Sequence, residues 1–229
     1  MKIYNIKIKF LLFVGSLFLF AACSQRSGSP KILVFSKTAG FYHESIPDGL
    51  AAIQKLGQEN DFEVDTTTDA EMFNEENLKQ YSAVVFLSTT GDILDPYQEA
   101  DFERYIQAGG GFVGIHAAAD TEYEWAWYGK MVGGYFTDHP GINDPHPNVQ
   151  KGLVEIVDAG HSTTDFLPKE WERTDEWYSY KDFNEEVNVL MTLFNEIILL
   201  SFLFHSKILS SKPFTFVIGL SGVEMNAFA

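Results

Sequence analysis

From residue 31 onward, short apolar β-branched runs alternate with amphipathic segments, and this alternation constrains the fold more than any other feature of the chain. A run of five or six such residues makes a buried strand. A helical-period segment after each run carries the chain over to the next strand in the same direction, so the sheet is parallel. Residues 31–36 (KILVFS), 62–67 (FEVDTT), 83–88 (AVVFLS) and 112–116 (FVGIH) read as strands. Residues 45–60, 75–80, 96 to about 108 and 122–135 read as helices. Ser45 and Asp95 stand at N-cap positions, and Pro96 follows Asp95 where a missing N–H costs nothing. No internal repeat is visible, and about 200 residues suffice for one sizeable core.

The N-terminus has a different character. Lys2, Lys7 and Lys9 precede an uncharged apolar run from Phe10 to Ala22, about 13 residues, which is short for a membrane span of roughly 20. Residues 1–22 therefore read as a signal peptide. The sequence Leu19-Phe20-Ala21-Ala22-Cys23 resembles a lipobox, with Phe20 in place of the usual branched aliphatic residue. Lipidation is expected at Cys23, with residues 24–30 (SQRSGSP) as a flexible tether. No acidic residue directly follows Cys23, so the outer membrane of a two-membrane bacterium is the expected location. The alternative is an ordinary cleaved signal peptide or a retained anchor.

Composition narrows the function. Without residues 1–22 the chain has 13 basic and 32 acidic side chains, a formal charge of −19. Nucleic-acid binding needs clustered Lys and Arg, so it is not expected. Cys23 is the only cysteine, so the folded domain has no thiol nucleophile, disulfide or cysteine-ligated metal. With no HExxH and no tight His-x-His spacing, no metal ligand set is assigned. Four histidines and several carboxylates could still meet in three dimensions, so metal binding stays open and the cofactor is unknown. Nothing in the sequence sets the oligomeric state.

In a parallel α/β sheet, ligand sites gather at the carboxyl ends of the strands. Here those ends carry residues 38–44 (TAGFYHE), 88–92 (STTGD) and 116–120 (HAAAD). His116 can serve as a general acid or base, as a metal ligand, or as a hydrogen-bonding turn residue. His43 is a second site candidate, whereas Glu44 also suits the start of a helix. Asp120 is either catalytic or the cap of the next helix. Thr90 and Gly91 are expected to meet a ligand. Trp125, Trp127, Trp177 and Tyr178, with Glu176, supply the rings and carboxylate that a sugar pocket needs, although tryptophans serve equally as core. His139 is a catalytic candidate, His146 reads as loop and His161 as structural.

Several longer motifs are similar to the ThuA-like, or trehalose-utilisation, family: FYHESI at 41–46, FLSTTGDIL at 86–94, the stretch from GGGFVGIHAAAD to FTDHP at 109–140, and RTDEWYSY at 173–180. The resemblance covers residues 31–193. It implies a flavodoxin-like α/β domain of the class I glutamine amidotransferase-like superfamily, with a mostly parallel sheet, helices on both faces and a role in sugar metabolism. In that superfamily a sharp strand-to-helix turn presents a cysteine nucleophile. The matching turn here holds His116, so glutaminase chemistry through a thioester is excluded.

Residues 194–229 depart from the family pattern and hold only four charged side chains, Glu196, Lys207, Lys212 and Glu224. They read as a frameshifted or truncated ending in preference to a divergent natural tail. The leading functional expectation is acid–base cleavage of a sugar or oxidised sugar by a lipid-anchored protein, through His116, His43, Asp120, His139 and Glu176. The alternative is a carbohydrate-binding lipoprotein without catalysis, or an inactive truncated family member. Convergence of His116, His43 and Glu176 would favour the enzyme.

Overall fold

The computed structural model describes residues 28–141, 146–194, 204–205 and 215–218. The expected signal peptide and Cys23 lie outside these residues, as does most of the atypical C-terminal segment.

Four parallel strands form where the apolar runs predict them: β1 (Lys31–Phe35), β2 (Glu63–Thr67), β3 (Ala83–Leu87) and β4 (Gly111–Ile115). Their helices are α1 (Ile46–Glu59), α2 (Glu75–Leu78), α3 (Pro96–Gln107) and α4 (Ala126–Val132). Four further strands follow: β5 (Tyr135–Asp138), β6 (Val149–Ile156), β7 (Glu170–Glu176) and β8 (Ser179–Lys181). The last three are β9 (Val189–Phe194), β10 (Phe204–His205) and β11 (Thr215–Ile218). The main sheet is wholly parallel in the order β11-β4-β3-β1-β2. An antiparallel sheet, β10-β9-β6-β7, and a β5-β8 ribbon stand apart from it. Two pieces of the atypical C-terminal segment thus join the two larger sheets.

Helices cover both faces of the main sheet, as expected. On one face, Ile46 and Ile53 of α1 pack on Val34, Val85, Leu87 and Ile115. The other face buries Leu33, Phe35, Phe86 and Phe112 with Phe73, Phe102 of α3 and Tyr128 of α4. The alternation of side chains along each strand makes this division: Leu33 and Phe35 point one way, and Val34 the other.

The two expected caps differ. Asp95 accepts hydrogen bonds from Tyr97 N and Gln98 N, and Gln98 Oε1 in turn accepts one from Asp95 N, a complete capping box. Ser45 precedes α1 but makes no side-chain cap bond; its backbone is already helical, which turns the hydroxyl away from the first amides. The last helix is shorter than expected, and its N-cap is Trp125, so Asp120 is not the cap of that helix. Among the described residues no helix is long and apolar enough to cross a membrane.

Candidate functional site

His116 is the first residue after β4 and sits at φ 52°, a left-handed conformation that costs energy for a residue with a Cβ. With the next three alanines it forms a single 3₁₀ turn, His116–Ala119. Small residues are needed there: a Cβ on Gly114 would lie 3.0 Å from Ala118 Cβ. The turn is fixed by Tyr128, whose hydroxyl donates to Ala118 O at 2.7 Å, and by Thr121 Oγ1, which donates to Ala117 O at 3.2 Å. Strain surrounded by such fixing contacts holds the imidazole off the strand end, only 1 % exposed.

His43 reaches the same place from the loop after β1. Thr90 pins that loop: its Oγ1 donates to Phe41 O at 2.9 Å, and its carbonyl accepts from Ala39 N at 2.7 Å. The His43 and His116 rings meet edge to face, 4.6 Å between centroids.

The remaining members come from the antiparallel half. Pairing of β6 with β7 places Val149 opposite Glu176, so Asn148 arrives beside that carboxylate, and Asn148 Nδ2 donates to Glu176 Oε1 at 3.0 Å. Pairing of β5 with β8 sets Asp138 opposite Ser179, which brings His139 over Tyr178, their rings nearly parallel at 5.9 Å. His116 Nε2 then lies 2.8 Å from Tyr178 Oη and 3.2 Å from Glu176 Oε2. His43 Nε2 lies 3.2 Å from the same Tyr178 oxygen, and His139 Nε2 lies 3.5 Å from Glu176 Oε1.

The electrostatics separate the groups. Burial holds the His43 pKa down to about 4, helped by His116 and His139, although Glu176 opposes this. His43 is therefore neutral at neutral pH. Burial alone would raise the Glu176 pKa, but the hydrogen bond and charge of His116, with His139 and Asn148, outweigh it and hold the carboxyl at about 2. Glu176 is therefore ionised. Burial, with Glu176 adding to it, pushes the Tyr178 hydroxyl far above its ordinary range. Asp120 lies close enough to His116 and His139 for their charges to act on it; burial raises its pKa, and a hydrogen bond from Tyr123 partly offsets that.

Of the expected site residues, His116, His43, Glu176, Tyr178 and His139 come together, with Asp120 at the margin. Thr90 and Gly91 take structural roles instead. Thr90 is fully buried with its hydroxyl engaged, and Gly91, at φ 76°, bridges to Thr121 beneath the loops. The rings of Trp125 and Trp127 stack on each other at 5.1 Å and pack on the Phe102 side of the core, away from the histidines. Trp177 is buried, its indole N–H donating to Gln150 O at 2.7 Å. Large rings satisfy core and pocket alike, so composition could not sort these three from Tyr178. His161 bonds within its own turn, to Thr163, as a structural histidine does, and His146 is exposed in its loop.

Two residues escaped the sequence reading. Asn148 orients Glu176, and only strand register reveals it. Glu122, read as the start of a helix, is buried and accepts from Ile93 N at 3.0 Å and Leu94 N at 2.9 Å. Burial raises its pKa to about 7 despite those two bonds, and Asp92 adds to the rise. Glu122 borders a cleft of about 910 Å³ with Lys37, Asp92 and Glu99, which is separate from the histidine cluster. The convergent acid–base groups lie outside this cleft, and chemistry is the better guide to function than volume.

Two sets of side chains could hold a metal ion: His43, His116 and Glu176, and Asp92, Glu99 and Glu122. Within each set the donor atoms lie within 4.8 Å of one another. In the first set the Tyr178 oxygen already bridges both imidazole nitrogens, so hydrogen bonds account for the arrangement.

A parallel α/β domain with a strained strand-end turn that presents a buried histidine defines the class. The chain belongs to the ThuA family, described as trehalose utilisation, which it matches over residues 31–205. Membership supports a role related to sugar metabolism. A ThuA-like protein from Bacteroides uniformis is 25% identical, with a TM-score of 0.67 over 87% of this chain and 85% of that one. One from Parabacteroides merdae is 18% identical, with a TM-score of 0.63 over 83% and 79%. A glutamine amidotransferase from Thermotoga maritima shares the fold at 15% identity, with a TM-score of 0.52 over 84% and 75%. No curated protein matches the chain.

Proposed function

We propose that this protein cleaves a bond in a sugar or oxidised sugar by proton transfer at the His116 centre. The observation that carries the reading is the convergence of His43, His116, Tyr178 and Glu176 from three separate segments onto one set of short contacts. A site that only bound sugar would not need a neutral imidazole, an ionised carboxylate and a tyrosine hydroxyl in mutual contact. That combination suits moving a proton and holding the resulting charge. Glu176, ionised beside His116, is placed to stabilise the imidazolium formed when His116 takes a proton.

The test is turnover of a panel of glucosides, trehalose included, and of their oxidised derivatives, with products separated by chromatography. His116→Asn is the variant of choice because asparagine tolerates a positive φ and keeps a hydrogen bond without exchanging a proton near neutral pH. It should lose about 10²- to 10⁴-fold in rate while folding normally. Turnover within a few-fold of wild type would defeat the reading.

The protein is also proposed to be a lipoprotein anchored through Cys23, which supports a location in the cell envelope, facing the sugars outside. Its support is the charged and apolar N-terminal pattern ending at that cysteine. Cys23→Ser should move the protein from the membrane fraction or block its maturation. Wild-type protein recovered unlipidated from the soluble periplasm would contradict this.

A further inference from the structure

Phe41 is 69 % exposed, although it belongs to the same strand-end loop as His43. Single exposed apolar residues are common on protein surfaces, so exposure by itself decides nothing. The setting of this ring does. Its centroid lies 4.9 Å from that of His43 with the planes nearly at right angles, and His43 meets His116 in the same way at 4.6 Å. One imidazole thus stands between an exposed aromatic ring and the buried His116.

The ring is also carried on a fixed backbone. Thr90 Oγ1 donates to Phe41 O at 2.9 Å and accepts from Gly40 N at 3.2 Å, while Ala39 N donates to Thr90 O at 2.7 Å. Glycine at positions 40 and 91 permits this close approach of the two loops: a Cβ on Gly40 would lie 3.3 Å from Thr90 Oγ1, and one on Gly91 would lie 3.2 Å from Ala39 Cβ. With its backbone held, Phe41 keeps only two side-chain torsions, so little freedom is lost when a ligand settles against it. The neighbouring polar groups open partly to solvent as well. The side chains of Glu176 and His139 are 14 % and 17 % exposed, and Asn148 is exposed. Trp125, Trp127 and Trp177 are all taken up by packing, which leaves Phe41 to supply a ring at this cluster.

We propose that Phe41 is the stacking platform for the sugar ring of the substrate, and that it selects pyranosides with an unbroken C–H face over open-chain polyols. The platform rests on the sugar reading of the His116 site and deepens it by naming the residue that seats the substrate. A pyranose with equatorial hydroxyls turns its axial C–H bonds to the two faces of the ring and its hydroxyls to the edge. Those C–H bonds, polarised by the oxygens beside them, meet the negative face of a phenyl ring favourably. The hydroxyl edge is then left for the carboxylate, amide and imidazole groups around His116. An open-chain polyol carries the same hydroxyls but presents no such face.

Binding to the full chain, followed by calorimetric titration, tests the platform apart from any turnover. Trehalose and methyl β-glucoside are the probes, and sorbitol is the open-chain control. At least one glucoside should bind about tenfold more tightly than sorbitol. Phe41→Ser should weaken that glucoside by about tenfold, whereas Phe41→Trp, which keeps a stacking ring, should stay within about threefold of wild type. Both substitutions fall on an exposed side chain outside the core, so the fold should be kept. Binding unchanged in Phe41→Ser, sorbitol bound as tightly as the glucosides, or no binding of either glucoside overturns the platform. If Phe41→Ser binds like wild type while His116→Asn abolishes turnover, the platform falls and the proposed chemistry stands. If glucoside binding depends on Phe41 while His116→Asn leaves turnover intact, the platform stands and the proton-transfer role of His116 falls.

Discussion

The two halves of this domain are built on different rules. Residues 31–132 form a parallel sheet whose interior is a continuous aromatic cluster: Phe86 alone lies within 5.8 Å, centroid to centroid, of Phe35, Phe73, Phe102, Phe112 and Tyr128. Residues 135–194 form antiparallel strands over a smaller core of Val154, Trp177, Tyr178, Leu190, Met191 and Leu193, and that core also takes in Ala117 from the turn after β4. The second half therefore closes its core against the very turn that presents His116. A rigid scaffold holds two histidines, a docked sheet supplies the carboxylate and the tyrosine, and the chemistry lies at their junction.

The largest expected effect comes from breaking the scaffold. Phe86→Ala removes the centre of the aromatic cluster and should cost about 3–5 kcal/mol, measured by denaturant unfolding. Because the second half packs on Ala117, both halves should unfold in one transition; two separate transitions would show that the antiparallel half stands alone.

A smaller effect separates the halves by pH. Unfolded His43 takes up a proton near the ordinary imidazole value of 6.5, whereas folded His43 resists protonation until about 4. Acid between those values thus favours the unfolded state, and stability should fall as pH drops from about 6.5 to about 4. His43→Gln should flatten that slope, as read from urea midpoints across the range. An unchanged slope would mean that His43 is not buried in a neutral state by the docked sheet.

The smallest effect tests the junction itself. Asn148→Ala removes one hydrogen bond to a largely buried carboxylate, a loss on the order of 1 kcal/mol, or up to about tenfold in turnover. A loss as large as that of His116→Asn would make Asn148 a participant in the chemistry instead of an orienting residue.

Much of the first half was legible before any coordinates. Strand and helix are local periodicities, so residues 31–115 resolve into alternating elements by pattern, and Asp95-Pro96 marks its helix start by chemistry that needs no partner from elsewhere. Absence of a thiol from the domain and the place of His116 at a strand end are likewise properties of the chain alone. The second half was less legible. Its strands alternate charged and apolar residues, and the positions of Glu176, Tyr178 and Asn148 follow from the register of strands that pair across a loop. Register, in turn, follows from which faces bury together in three dimensions.

The sequence by itself thus determined the parallel scaffold, the strand-end turn and the histidine upon it, because each depends on residues near one another in the chain. Only the tertiary structure decided that Tyr178 and Glu176 meet His116 while Trp125, Trp127 and Trp177 serve as packing. An aromatic ring gains from burial in a core as readily as at a site, so its role is set by what the rest of the fold brings against it.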